Sequence, residues 1–465
     1  MRPTFGSRAA FASSLTIACI LCAVSAAPAL DKHDAALDAA PTGLVPSSAK
    51  LSDVLAAHDR AVGNAAAEAG KTVAERWIFT SAGIAGTETL ERSGLNYHSR
   101  IAEGPFVEEY GQYQGTRWHQ DANGFTSATS EIDARSFYAV RVLEDAADPK
   151  NDVTILGETT GAQPAWVFQI KRPGYRHPEW IFYDKASAQV VRVEFVSSRR
   201  RIVETYDDFR TTDGFVQAWH IRDTDGRPEL DDDWSLQSVR HGVPLSDAIF
   251  QMPPHRPTVS HVTAATDIPD RTTRAGFVVR VNLDGRGLDF LLDSASDESI
   301  LDRNVAHDLN LPTYGQTTKL ADGRPVTYRT TLADADVAGI HLRNFTVSCS
   351  DFAYDPDSRI RIVGVLGYDF FAANVLHFDF ANGRIEALPT PPFTQAAPVA
   401  GGIEIPLTID DGVPLVPMYV GNTLATAVVL DTALPFSLIS GTFAAEHPAD
   451  VVDRSHGDHA SGMVP

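Results

Sequence analysis

Phe290-Leu291-Leu292-Asp293-Ser294-Ala295-Ser296 is an apolar run that ends abruptly in a carboxylate, a hydroxyl and a small residue. Successive apolar residues bounded by turn formers predict a buried strand that delivers Asp293 to the head of a turn. The surrounding text occurs twice. Ile268-Pro269 lies about 25 residues before Asp293 and Ile405-Pro406 about 26 before Asp431, and such a fixed offset predicts internal duplication of one β unit. Gly276-Phe277-Val278-Val279-Arg280-Val281-Asn282-Leu283 pairs with Pro414-Leu415-Val416-Pro417-Met418-Tyr419-Val420. A glycine turn follows in each, and then Leu291-Leu292-Asp293-Ser294-Ala295 pairs with Val429-Leu430-Asp431-Thr432-Ala433.

Two carboxylates on two such turns have a chemical use. Hydrolysis of a peptide bond without metal or covalent nucleophile needs one carboxylate to take a proton from water and one carboxylic acid to protonate the carbonyl oxygen. Held close together, two carboxyls cannot both ionise cheaply, so they share one proton and supply acid and base from the same residue type. Asp293 and Asp431 stand at equivalent places in the repeat, each followed by a hydroxyl and a small residue, Ser294-Ala295 and Thr432-Ala433.

Further residues carry a resemblance. Ser299-Ile300-Leu301 reads as the next strand and Val305-Ala306-His307-Asp308-Leu309-Asn310-Leu311 as a short helix. Ile362-Val363-Gly364-Val365-Leu366-Gly367-Tyr368-Asp369-Phe370-Phe371 is an apolar-glycine loop, and His377-Phe378-Asp379-Phe380-Ala381-Asn382-Gly383-Arg384-Ile385 a final hairpin. Together with the Asp-Ser-Ala turn, this set resembles the retropepsin-like aspartic proteases of bacterial and retroviral type over about residues 270 to 388. The resemblance implies an acid-protease β-barrel with Asp293 and Asp431 as the catalytic dyad, Ser294 and Thr432 bracing it, the small Ala295 and Ala433 letting the turns approach, and Gly364 and Gly367 in the closing loop. It also implies a flap over the substrate, for which Thr317 to Thr327, turning at Asp322-Gly323, lies in the right interval. Glycine is commoner in the family where this chain has Ala295 and Ala433. The first copy spans about 118 residues and only about 65 run from Gly401 to Pro465, so the chain is a fragment or its second copy is degenerate. If that lobe is incomplete, retroviral practice implies another route, a homodimer pairing Asp293 from two chains about a two-fold axis.

The earlier part of the chain reads differently. Leu51, Val54, Leu55, His58 and Val62 recur at helical spacing, with Ser52 at the N-cap and Gly63 after the last periodic residue. From Val73 to about Met252 short alternating runs follow, such as Ala165 to Ile170, Glu179 to Tyr183 and Gln189 to Phe195. Asn123-Gly124, Asp213-Gly214 and Asp225-Gly226 punctuate them as hairpin corners. A helix followed by this meander resembles the curved half-barrel of outer-membrane lipoprotein carriers. Met252-Pro253-Pro254-His255-Arg256-Pro257 breaks both periodicities, because proline lacks the backbone donor that a ladder or a helix interior needs. The expected organisation is a signal peptide at 1–27, a linker at 28–48, the half-barrel domain at 49–255, a first retropepsin-like lobe at 266–390 and a partial second lobe at 401–465.

Composition bounds the partners. The chain has 465 residues, 43% of them hydrophobic, and a formal net charge of -21. So negative a field repels phosphate backbones and anionic headgroups, which excludes nucleic acid as a natural partner. Met1-Arg2 to Arg8, an uncharged stretch from Ala9 to Ala27 and small residues at Val24-Ser25-Ala26 read as a secretory signal; the rival is a retained anchor. Beyond it no segment is apolar enough to span a membrane, and the expected location is periplasmic or secreted. Removal of the signal takes Cys19 and Cys22, leaving Cys349 on a strand as a buried structural thiol. Asp223-Thr224-Asp225-Gly226 with Asp231-Asp232-Asp233 lacks the ligand spacing of a calcium loop. His307, His341 and His377 have no paired metal spacing. No metal and no cofactor is assigned.

The whole reads as a mainly β protein, an antiparallel half-barrel with a helix followed by a retropepsin- or pepsin-like β-barrel unit and a partial second copy. The expected function is an aspartic-type endopeptidase acting on peptide or protein substrates. The alternative is a non-catalytic exported protein that binds peptide or lipid on a degenerate protease scaffold.

Overall fold

The computed structural model describes residues 37–450 apart from 64–70, 82, 95, 129–142, 144–145, 147, 173–176, 198–199, 229–230, 257, 274–275, 316–327, 352–359, 380–381, 390–402, 411, 435–436, 440 and 448–449. The expected signal at 1–27, most of the linker and the flap turn at Asp322-Gly323 lie outside the described residues. The rest is mainly β and divides into two compact units. Among the described residues, one holds 37–119 and 143–252 and the other 120–128 and 253–450.

In the first unit the helix Leu51–Val62 buries Val54, His58 and Val62, one stripe at four-residue spacing. It ends at Gly63 in the left-handed region, with φ 87°. Its start differs from the sequence reading: Lys50 occupies the cap position without a side-chain bond, and Ser52 lies inside the first turn, bonded to Asp53. The chain is already helical at Leu51, so the Lys50 carbonyl takes the N–H groups of Asp53 and Val54. The Ser52 hydroxyl is one residue too late to cap.

The sheet of this unit grows from a seam. Thr72–Ser81 pairs antiparallel with both Ile84–Ser93 and Asp232–His241. On one side follow Asn96–Glu103, Phe106–Tyr113 and Thr116–Gln120; on the other Phe215–Thr224, Arg200–Thr212, Val190–Ser197, Glu179–Asp184, Ala165–Lys171 and Asp152–Glu158. Alternation sets the inner face, as Thr72–Ser81 buries Val73, Glu75, Trp77 and Phe79 in turn. Acids on that face are matched by donors from their own neighbours. Trp77 Nε1 donates to Glu75 at 2.9 Å, the Tyr110 hydroxyl to Glu108 at 3.1 Å and the Ser99 hydroxyl to Glu88 at 2.6 Å, which offsets the cost of their burial. Asp213-Gly214, with φ 53° and 84°, makes the hairpin corner expected of it. Asp225-Gly226 falls in the connection after Phe215–Thr224.

The second unit closes a six-stranded barrel. Gly276–Leu283, Arg286–Leu292, Ile362–Leu366, Ile300–Asp302, Ile340–Ser350 and Tyr328–Val337 are neighbours in that order, and Tyr328–Val337 returns to Gly276–Leu283 through Asn282 and Asp336. Val281, Phe290, Leu301, Leu332, Leu342 and Val347 fill it. The short helix begins at Arg303, two residues before the sequence reading, because Asp302 caps it by accepting from the N–H groups of Asn304 and Val305. Cys349 is fully buried, and burial pushes its thiol up, away from thiolate chemistry. Thr266–Ile268 joins the hairpin Val375–Asp379 and Arg384–Leu388 in a small sheet. A second small sheet holds Thr408–Asp410, Val413–Val420 and Thr423–Val429.

The helix stop of the first unit gives a test. A Cβ at Gly63 would lie 2.0 Å from the Gly214 carbonyl oxygen, on a backbone that disfavours any side chain. Gly63→Ala is expected to lose at least about 1 kcal/mol of stability, read as a lowered midpoint in thermal unfolding.

Candidate active site

Asp293 leaves its strand under backbone control. Arg286–Leu292 runs parallel to Ile362–Leu366, with Leu292 opposite Leu366, and the Asp293 N–H donates to the Leu366 carbonyl at 3.1 Å. The chain then turns, and the Asp293 carboxylate accepts from the Ala295 N–H at 2.9 Å. The glycines of the loop are there for close approach. A Cβ at Gly364 would lie 2.3 Å from the Phe290 ring and 2.6 Å from the Ile300 carbonyl oxygen, and one at Gly367 would lie 2.4 Å from the Glu298 carbonyl oxygen.

Asp431 arrives by a similar local path. Thr408–Asp410, Val413–Val420 and Thr423–Val429 form an antiparallel meander, as do Asp270–Thr273, Gly276–Leu283 and Arg286–Leu292. Each meander ends at its aspartate. The Asp431 carboxylate accepts from the N–H groups of Ala433 at 2.7 Å and Leu434 at 3.1 Å.

The two turns are joined by a reciprocal exchange. The Ser294 hydroxyl donates to the Leu430 carbonyl at 2.5 Å and accepts from the Thr432 N–H at 3.1 Å. The Thr432 hydroxyl donates to the Leu292 carbonyl at 2.9 Å and accepts from the Ser294 N–H at 3.1 Å. Each hydroxyl thus ties the residue before the opposite aspartate and the residue after it. Ser294 is 3% exposed, whereas Thr432 is half-buried, so the exchange is sheltered on the Ser294 side. Ala433 packs against the cluster of Val278, Leu291, Ile300 and Val365, which gives its methyl group a place.

Burial and mutual repulsion act on the two carboxyls. Burial, with the Asp431 charge second, raises Asp293 to about 6 against the hydrogen bonds from its own turn. Asp431 is raised by burial and held back by Ala433 and Leu434. Two carboxyls raised in this way titrate as a pair, which carries one proton between its two ionisations.

The structure thus brings together Asp293, Ser294, Ala295, Asp431, Thr432 and Ala433, with Gly364 and Gly367 beneath them. Other residues at this site were not singled out from the sequence. Gly276 has φ 101°, and a Cβ there would lie 2.8 Å from the Thr432 carbonyl oxygen; a glycine opening a strand, where a side chain would favour pairing, was the available signal. Ser299 and Asp369 brace the turn from behind, the Ser299 hydroxyl donating to Asp369 at 2.6 Å and accepting from the Gly367 N–H at 2.9 Å. Elsewhere, Asp231 pairs with Arg222, and Asp225 with Arg227 and Arg200. Arg201 bonds Glu194 at 2.5 Å and stacks over Trp180. Among the described residues no group of three or more His, Cys, Asp or Glu is placed to hold a metal.

Residues 279–370 match the family model described as aspartyl protease. The match takes in Asp293, Gly364 and Gly367 and stops short of Asp431. Three solved structures are similar to parts of the chain. A DUF1329 family protein from Desulfovibrio piger is 14% identical, over 43% of this chain and 95% of that one, with a TM-score of 0.30. A LolA superfamily protein from Nitrosomonas europaea is 11% identical, over 44% and 98%, with a TM-score of 0.33. A retropepsin-like aspartic protease from Rickettsia conorii is 14% identical, over 28% and 90%, with a TM-score of 0.20. Comparison with curated proteins gives no match.

Two outcomes are expected. Thr432→Val, which removes one hydroxyl from the exchange, is expected to cost about 1 to 3 kcal/mol, measured as faster amide exchange in Thr423–Val429. Because the folded pKa of Asp293 is raised, its ionisation opposes folding, so stability present below about pH 4 is lost as pH rises towards 6. Asp293→Asn does not titrate, and its melting temperature is expected to exceed that of the wild type by an amount that grows over this range, equivalent to roughly 3 kcal/mol at pH 7.

Proposed function

We propose that this chain is an aspartic-type endopeptidase in which Asp293 and Asp431 activate one water between them. The observation that carries the proposal is the exchange of hydrogen bonds between Ser294 and Thr432, which sets two carboxyl-bearing turns against each other. In the singly protonated pair, ionised Asp431 takes a proton from water while the Asp293 carboxylic acid donates one to the carbonyl oxygen of the scissile bond. Asp431 then gives the proton it took to the amine nitrogen as the C–N bond breaks, and the Asp293 carboxylate takes a proton back from a hydroxyl of the tetrahedral species, which restores the singly protonated pair. The substrate is a peptide or protein segment in extended form.

The match to the aspartyl protease family over 279–370 supports the hydrolase class. The second carboxylate is drawn from the same chain, because Thr432 already fills the hydrogen-bonding positions around Ser294. Pairing of Asp293 across a homodimer would have to displace it. The two meanders that end at Asp293 and Asp431 are the basis for proposing a duplicated unit, with lobes at 266–390 and 401–465 after a half-barrel domain at 49–255. No described helix is long and apolar enough to cross a membrane. A periplasmic or secreted location rests on the composition of residues 1–27.

The test is hydrolysis of a mixed peptide library by the purified protein across pH, beside Asp293→Asn, Asp431→Asn and a pepstatin-type inhibitor. Cleavage is expected on the acid side, with kcat/KM falling as pH rises through about 6, where Asp293 loses its proton. Either substitution is expected to lower kcat by at least about a hundredfold. Folded protein that cleaves nothing at any pH would transfer the reading to a non-catalytic scaffold binding peptide or lipid.

A further inference from the structure

The turn at 121–125 looks like a hairpin corner in sequence, and its backbone closes as one, with Gly124 N–H donating to Asp121 at 2.9 Å and Asp121 N–H to Phe125 at 2.9 Å. Its side chain is the surprise, because Asn123 is only 7% exposed. Its amide group lies along Ile340–Ser350 like a short strand, accepting from the Thr346 N–H at 2.7 Å and donating to the Thr346 carbonyl at 3.1 Å. The same nitrogen donates to the Asp369 carboxylate at 2.9 Å, 246 residues away in sequence. The turn is fixed on its other side as well. Arg256 N–H donates to the Gly124 carbonyl at 2.7 Å, Thr126 N–H to His255 Nδ1 at 2.9 Å, and the Phe125 ring stacks on His255.

Asp369 passes this constraint on. One oxygen accepts from the Ser299 hydroxyl at 2.6 Å and the Phe370 N–H at 2.9 Å, the other from Asn123 and from the Ser299 N–H at 3.1 Å. Ser299 closes the turn that begins at Asp293, and its hydroxyl holds the Gly367 N–H. Tyr368 N–H donates to the Ser296 carbonyl at 2.7 Å, and Leu366 receives the Asp293 N–H. Residues 366–369 therefore grip the aspartate turn at both ends, and Asn123 is the side chain that fixes the grip from behind.

We propose that Asn123 is a positioning residue for the Asp293 turn, acting through Asp369 and Ser299. This rests on the protease reading only for its effect on rate; its effect on the turn stands alone. The buried carboxylate of Asp369 orients to the donors it is given. Removing the Asn123 donor leaves one Asp369 oxygen held by the Ser299 N–H alone, which loosens the carboxylate and with it the Ser299 hydroxyl and the Gly367 N–H. Asp293 then samples positions from which it cannot serve the reacting carbonyl, while residues that bind the peptide elsewhere are unaffected.

The experiment compares full-length wild type with Asn123→Ala by amide hydrogen exchange and by peptidase kinetics corrected for the folded fraction. Exchange is expected to quicken in residues 293–299 with Arg286–Leu292 unchanged, and kcat to fall at least about tenfold while KM moves less than about twofold. Should Asn123→Ala fail to fold, Asn123→Ser is read in its place. Exchange in 293–299 equal to wild type in the folded variant would overturn the inference, as would a loss confined to KM. If wild type cleaves no peptide, the protease reading has failed, and the exchange result alone decides the role of Asn123.

Discussion

The exchange of four hydrogen bonds between the Ser294 and Thr432 turns is the constraint from which the candidate site follows. It needs both hydroxyls and both flanking backbones at once, because each hydroxyl donates to a carbonyl ahead of the opposite aspartate and accepts from an N–H behind it. A single such bond contributes about 1 kcal/mol net, but four acting together fix two turns in one relative position. That position puts the Asp431 charge where it raises Asp293. The coupling of the two carboxyls is thus a product of how the turns are tied.

Much of the fold could be read from the sequence because it rests on short-range pattern. Alternation gave the strands of the first unit, and the apolar run before Asp293 gave the strand that delivers it. Gly364 and Gly367 stood out in Ile362 to Phe371, and the structure supplies their reason, since a side chain at either would strike the Phe290 ring or the Glu298 backbone. The helix start was misplaced at Ser52 because capping residues state a preference, whereas the backbone of Lys50 had already taken the first N–H groups.

What remained hidden depends on partners distant in sequence. Asn123 read as a turn residue, and it is one, but nothing within its own neighbourhood announces that its amide meets Thr346 and Asp369. Asp369 lies in the apolar-glycine loop, where a carboxylate between Tyr368 and Phe370 has no pattern of its own. Gly276 opens its strand without a local reason for glycine; the reason is the Thr432 carbonyl oxygen, 2.8 Å from where its Cβ would lie. In each case the physical reason is close packing between segments that the chain brings together only after the barrel closes.

The central claim is that Asp293 and Asp431 of one chain act as a coupled pair. It is tested most directly by following the Asp293 side-chain carboxyl by NMR titration in the wild type and in Asp431→Asn. The account predicts an Asp293 pKa of about 6 in the wild type and a lower value once the Asp431 charge is gone. The same value in both proteins would contradict it, since two carboxyls that do not sense each other cannot share a proton.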